Sequence, residues 1–163
     1  MSKLLLILHA AFTSAAFHPD GHLFAAGTVS EVKIFDVRSA SLAASFALSG
    51  DVSSLSFSEN GFWLALATSG NSTVEIWDLK KMNKTKSLDI GSRVDHVKWD
   101  YTGQFLSTAG PSGISVQHFL KATKAWSEPL RSAVPAVATA WGSRASTLVS
   151  VNGDGVLTVL GQE

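Results

Sequence analysis

Ser56-Phe57-Ser58-Glu59-Asn60-Gly61 runs into Trp63-Leu64-Ala65-Leu66-Ala67-Thr68 and then Val74-Glu75-Ile76-Trp77-Asp78-Leu79, and this pattern is written nearly four times along the chain. An earlier copy holds Ala16-Phe17-His18-Pro19-Asp20-Gly21 and Val32-Lys33-Ile34-Phe35-Asp36-Val37. A later one holds Trp99, Gly103, Phe105-Leu106-Ser107-Thr108-Ala109-Gly110 and Ile114-Ser115-Val116-Gln117-His118-Phe119. The last, more worn, holds Trp141-Gly142, Thr147-Leu148-Val149-Ser150-Val151 and Val156-Leu157-Thr158-Val159-Leu160. The aromatics Phe17, Phe57, Trp99 and Trp141 fall 40, 42 and 42 residues apart. A period of about 40–45 residues with several short strands per unit is that of a propeller blade.

The strands of one unit are legible in the quoted copy. Val52 to Ser58 alternates apolar residues and ends at Gly61, which supplies the positive φ that a bulged hairpin needs. Phe62 to Thr68 returns, Ser69-Gly70-Asn71-Ser72 turns, and Thr73 to Leu79 is the third strand. Lys80 to Lys84 reads as a basic loop and Thr85 to Ile90 as a thinner outer strand. The first two strands are apolar at nearly every position, as strands covered on both faces are. The prediction is an all-β propeller of about four blades, each a four-stranded antiparallel sheet. The approximate copies are 11–50, 51–90, 91–133 and 134–163 of a single unit spanning 1–163, with 4–9 as the outer strand of a preceding or closing blade.

Composition agrees with a packed soluble domain. Of 163 residues, 45% are hydrophobic, and a chain of this length buries about 70% of its unfolded surface. Thirteen basic residues balance thirteen acidic ones, so no net field steers the chain onto nucleic acid or an anionic membrane. The absence of cysteine excludes disulfides, thiolate chemistry and sulfur-bound zinc, and fits a reducing compartment. Leu4-Leu5-Leu6-Ile7-Leu8 and the small residues to Ala16 imitate a secretory signal, but cleavage there would remove Thr13 to Ala16, which the first unit needs as a strand. The reading is a buried strand; a secreted, lectin-like propeller is the alternative that depends on the signal.

Each third strand ends in an aromatic-Asp pair or its remnant: Phe35-Asp36, Trp77-Asp78 and Gln117-His118. On these pairs the chain resembles the WD-repeat family of β-propellers over essentially its whole length. Within it, residues 57–61 with Leu64-Ala65, the stretch Val74 to Lys81, Phe17 to Gly21, and Tyr101 to Leu106 with Gly110-Pro111 resemble the C-terminal propellers of the pre-mRNA-processing factor 19 family. Trp126 to Val137 resembles its fungal members in particular. That resemblance implies a nuclear splicing factor whose U-box ubiquitin-ligase activity and coiled coil lie outside this chain, with a link to DNA repair. The chain is then about four blades of a seven-bladed propeller, an interaction scaffold and itself no enzyme. The implied partners are splicing-complex proteins and ubiquitin-ligase substrates.

The chain departs from the family pattern where WD blades often build a buried His-Asp-hydroxyl-Trp network. The Gly-His position reads Gly50-Asp51 and Gly91-Ser92, and Asn71 stands where Asp might. The expectation is that apolar packing chiefly holds the blades together. An incomplete ring exposes a blade face, and exposed apolar surface drives association; self-association is predicted.

Sites of chemistry are few. His18 and His22 flank Pro19-Asp20-Gly21, but zinc is usually held by four ligands, and two histidines around a turn read as turn residues; no metal and no cofactor is expected. Lys80, Lys81, Lys84 and Lys86 cluster without an interleaved aromatic, so stacking platforms are missing and the cluster reads as a solvated loop, with no direct nucleic-acid contact. Asp20, Glu59, Asp36 and Asp78 recur at matching places and read as turn formers (the first two) and strand-end caps. No nucleophile elbow or phosphate loop is present. A channel enzyme, the alternative, would need acids or histidines on several innermost strands, where only Asp95 and His96 stand out. A partner would meet the rim where turns converge, and the polar candidates there are Asp51, Asn71, Arg93, Arg131 and Asp154.

Overall fold

The computed structural model describes residues 10–161, and the expected outer strand at 4–9 lies outside them. Four antiparallel sheets follow one another along the chain. The first is β1 (Ser14–Phe17), β2 (Leu23–Gly27), β3 (Glu31–Asp36) and β4 (Ser41–Ala47), in that spatial order. The second repeats it with β5 (Val52–Phe57), β6 (Trp63–Thr68), β7 (Thr73–Asp78) and β8 (Asn83–Asp89). The outer strand β8 thus begins inside the expected basic loop. The reason is local: Lys84 lies opposite Trp77 in the ladder and its Nζ reaches Glu75 Oε1 at 2.9 Å.

The third sheet is β9 (His96–Trp99), β10 (Phe105–Gly110) and β11 (Gly113–Leu120), with the outer position shared by β12 (Ala125–Trp126) and β13 (Leu130–Ser132). The break falls at Pro129, which has no N–H to give to a ladder, and the Ser127 hydroxyl substitutes by accepting the His118 N–H at 3.1 Å. The fourth sheet has three described strands, β14 (Ala138–Trp141), β15 (Thr147–Val151) and β16 (Leu157–Gly161), the last an edge.

The hairpins close as the glycine spacing requires. Gly21, Gly61 and Gly103 have φ of 72°, 71° and 64°. Their N–H groups donate to His18, Ser58 and Asp100 carbonyls at 2.9, 2.8 and 3.2 Å. Such a φ is cheap only for glycine. The side chain that ties each turn differs from expectation. Asp20 accepts the His22 N–H at 2.7 Å, but its counterpart is Asn60, which accepts the Phe62 N–H at 2.9 Å, and not Glu59. In the third sheet Asp100, 2% exposed, takes both the Gln104 and Phe105 N–H groups on Oδ1 and the Thr102 N–H on Oδ2. The expected strand-end caps are present: Asp36 Oδ1 accepts from Arg38 and Ser39, and Asp78 Oδ1 from Lys80 and Lys81.

The cores lie between sheets, not within them. Ala25, Val32, Ile34 and Phe46 of the first sheet meet Val52, Leu55, Leu64 and Leu66 of the second. Ala65, Val74, Ile76 and Leu88 meet Val94, Val97, Trp99 and Leu106. The third cluster is smaller, with Ala109 and Ile114 against Ala136 and Leu148. Each fully buried leucine or isoleucine contributes about 1.5–3 kcal/mol relative to exposure.

Hydrogen bonds also cross between sheets and add to the apolar packing. The Val97 and Trp99 N–H groups donate to Ser54 Oγ and Ser56 Oγ at 3.1 Å each. The Thr139 N–H donates to His96 Nδ1 at 3.3 Å, Thr139 Oγ1 lies 2.9 Å from Ser107 Oγ, and the Trp141 indole N–H reaches the Lys98 carbonyl at 3.1 Å. Small hydroxyl residues of β5, β10 and β14 thus take part in the bonds that join neighbouring blades.

Candidate functional site

A repeated bond builds one rim. In the second, third and fourth blades a buried residue at or two residues before the start of the innermost strand donates its N–H to the preceding blade's second turn. Val52 donates to the Thr28 carbonyl at 3.0 Å, Val94 to Asn71 at 3.0 Å, and Ala136 to Gly110 at 3.1 Å. The donors are spaced 42 residues apart. Each bond pins an interblade link beside a turn, so links and turns of different blades meet on a common surface. The turns are themselves stiffened by side chains. Thr28 Oγ1 accepts the Glu31 N–H at 3.1 Å, Asn71 Nδ2 donates to Thr68 Oγ1 at 2.7 Å, and Asn152 Oδ1 accepts the Val156 N–H at 2.8 Å.

The five predicted rim residues are all exposed, and the structure gives them different tasks. Asp51 and Asn71 are neighbours, because the Ser69 N–H donates to the Asp51 carbonyl at 2.7 Å. Arg93 follows next, its link held to Asn71 through Val94, and its guanidinium Nε contacts Asp95 Oδ1 at 2.7 Å. Arg131 donates to the Ile90 carbonyl and so braces β13 against the end of the second sheet. Asp154 stands apart in the 152–155 turn, where its N–H donates to Asn152 Oδ1 at 3.0 Å. The backbone segments that carry Asp51, Asn71 and Arg93 are therefore tied to one another, Arg131 ties β13 to the end of the second sheet, and Asp154 lies on a separate turn.

The channel candidates are occupied by structural bonds. Asp95 holds Arg93. Burial, and secondarily the Lys98 charge, hold the His96 imidazole below its ordinary pKa, so that it stays neutral and accepts from Thr139. His18 meets Asp20, with Nδ1 2.8 Å from Oδ1, while its Nε2 lies 2.9 Å from the Gly61 carbonyl of the next blade. The backbone N–H of His22, then the bonds and charge of His18, hold the Asp20 carboxyl below its usual range. Among the described residues no three His, Asp or Glu side chains converge as a metal site would need.

Sequence reasoning missed Asp100 and the hydroxyls of Ser54, Ser56 and Thr139. The hydroxyls left no repeating signal, because the matching positions among the second to fourth copies hold His96 and Ala138 for Ser54, Lys98 and Ala140 for Ser56, and Leu55 and Val97 for Thr139.

Comparison with known proteins places this geometry. The family model for eukaryotic translation initiation factor eIF2A matches residues 9–116. Pre-mRNA-processing factor 19 of Schizosaccharomyces pombe is 35% identical over 70% of this chain and 24% of its own length. The Dictyostelium discoideum protein of that name is 41% identical over 64% of this chain and 22% of its own. Pre-mRNA-processing factor 19 homolog 2 of Arabidopsis thaliana is 39% identical over 71% and 22%. The chain spans about a quarter of the length of these curated relatives. Among solved structures, Kuenenia stuttgartiensis hydrazine synthase aligns with a TM-score of 0.79 at 13% identity, over 98% of this chain and 49% of that one. The Cps50 (Swd1) β-propeller domain of Myceliophteria thermophila aligns at 0.77 and 19% identity, over 95% and 53%; at such identities both establish the fold alone. The chain is a WD-repeat β-propeller that resembles pre-mRNA-processing factor 19 in sequence, and by the model that matches most of its length it belongs to the family described as eukaryotic translation initiation factor eIF2A.

Proposed function

We propose that the chain is a protein-docking scaffold of pre-mRNA splicing, working in the nucleus as part of an assembly whose ubiquitin-ligase activity resides on other residues. The observation that carries this reading is the 35–41% identity to splicing factors over 64–71% of the chain. The docking patch is Asp51, Asn71 and Arg93, presented on links and turns that buried N–H groups hold rigid. Rigid display of loop residues is the usual way a scaffold binds, and arginine is enriched at contact hot spots. The partners are splicing-complex proteins, among them substrates of the ligase, and the DNA-repair link follows from the same assembly. Two copies also meet through the exposed sheet face at the chain's C-terminal blade.

The test is co-sedimentation of the labelled chain with nuclear-extract complexes, using Asp51→Lys with Arg93→Glu and leaving the Arg131 brace intact. The unsubstituted chain travels with pre-mRNA complexes, and the double variant loses about tenfold in retention, as two rim charges are expected to cost. Sedimentation with ribosomal fractions instead would transfer the reading to translation initiation, and equal retention of both proteins would remove this rim as the docking surface.

A further inference from the structure

The outer edge of the cleft between the second and third blades holds a cavity of about 690 Å³. Its apolar wall is made by Trp63 at the start of β6, Phe119 near the end of β11 and Trp126 of β12. These rings come from positions far apart in sequence and meet only in the fold. Trp63 stands edge-on to Phe119, with centroids 4.4 Å apart at 85°, and Phe119 is tilted 60° to Trp126 at 5.5 Å. Each ring is partly buried, and Trp63 and Trp126 back onto the core.

Three lysines, Lys86, Lys121 and Lys124, line the same cavity and are exposed. Among the described residues none of the three lies within ion-pair distance of a carboxylate, whereas neighbouring Lys84 is neutralised by Glu75. The one acid in the wall, Asp78, already receives the N–H groups of Lys80 and Lys81 on its Oδ1. Of the three, Lys86 belongs to the cluster 80–86 that reads as a solvated loop because no aromatic is interleaved with it, and Lys121 and Lys124 lie outside that cluster. Folding supplies the aromatics from other strands.

We propose that this cavity is a docking site for an acidic peptide segment, one aromatic or large apolar side chain inserting between Trp63, Phe119 and Trp126 while flanking carboxylates pair with Lys86, Lys121 and Lys124. Aromatic walls with a charged rim are how peptide pockets combine affinity and orientation. Charge complementarity fixes the sign of the partner. The ring geometry selects a peptide over a single-stranded nucleic acid. Successive bases need a row of open, similarly oriented faces, but here the rings close edge to face around a single concave space. This site is distinct from the rim and does not rest on it.

The experiment selects a displayed library of random twelve-residue peptides on the full chain and measures the enriched peptides by fluorescence anisotropy. A Lys86→Glu/Lys121→Glu/Lys124→Glu variant and a uridine dodecamer serve as the two comparisons. All three lysines are exposed, so the variant keeps the urea midpoint of the parent. Enriched peptides carry an aromatic or leucine flanked by Asp or Glu. They bind the triple variant at least about tenfold more weakly, and their binding weakens between 50 and 300 mM salt, as expected for three screened charge pairs. Replacing the peptide's aromatic by alanine also abolishes binding. Enrichment of neutral or basic peptides, no enrichment, equal binding to the triple variant, or tighter binding of the uridine dodecamer than of the best peptide would each overturn the proposal.

Discussion

The second and fourth blades are written from one template and live in different surroundings. In the second, β6 is buried from Leu64 to Thr68, and Leu64 and Ala65 are wholly inaccessible. In the fourth, β16 alternates exposed and half-buried positions along its length, and Leu157 and Val159 are 61% and 60% exposed. Val149 lies opposite Val159 and Val151 opposite Leu157, so the apolar residues share one face. The fourth blade is no less hydrophobic than the second; what it lacks is a neighbour on that side among the described residues. Burial in a stacked architecture is a property of the pair of sheets, and the blade at the end of a stack keeps only half of it.

The sharpest way to break this comparison is to replace one leucine in each blade. Leu64→Ala should lower stability by about 2–5 kcal/mol, because neighbours on both sides leave little room to collapse. Leu157→Asp should move the urea midpoint by less than the equivalent of about 0.5 kcal/mol. The same Leu157→Asp variant should hold the mass near 17.2 kDa in light scattering, while the unsubstituted chain grows heavier with concentration. Comparable losses for the two variants, measured where light scattering shows monomer, would mean that the fourth blade's outer face is covered within the chain itself.

A smaller effect separates the bonds that stitch blades from those that decorate turns. Ser56→Ala strands the buried Trp99 N–H and should cost about 1–3 kcal/mol. Ser146→Ala, which removes only an exposed bond to the Ser143 carbonyl, should cost under about 0.5 kcal/mol. Chemical denaturation of the two variants side by side gives the difference directly.

The smallest effect is in pH. His96 is held neutral by burial, and then by Lys98, so its folded pKa lies below the ordinary value of 6.5. The unfolded chain takes up a proton at this residue that the folded chain resists. Between those two pKa values the unfolded state binds more protons, so stability decreases as pH falls from about 7. His96→Gln should flatten that part of the profile, read as urea midpoints at pH 7.5 and 5.5. An unchanged slope would assign the acid sensitivity to other groups.

The sequence reading succeeded where a physical need forces a residue type. Glycine at 21, 61 and 103 marks hairpins because no other residue takes that φ cheaply, and Asp36 and Asp78 mark strand ends because a carboxylate there collects two N–H groups. It misplaces a role where several residues can serve one need: the turn bond passes from Asp20 to Asn60 to Asp100, and the task expected of Glu59 is performed by its neighbour. Arg131 read as a rim charge because its partner is a backbone carbonyl, and carbonyls leave no trace in a sequence. The aromatic cavity was invisible for the same kind of reason. Trp63, Phe119 and Trp126 belong to two blades, and only the stacking of those blades brings them together.

Ser54 and Ser56 wait for Val97 and Trp99, each 43 residues downstream. A ribosome adding about 5–20 residues per second needs about 2–9 s to deliver them. Through that interval the second blade has its own ladder but its inner hydroxyls still face water, and the arrival of the third blade replaces water with peptide. The direction of these bonds therefore makes the growing chain a ratchet: each blade is finished by the one made after it, and the latest always has a side left to close.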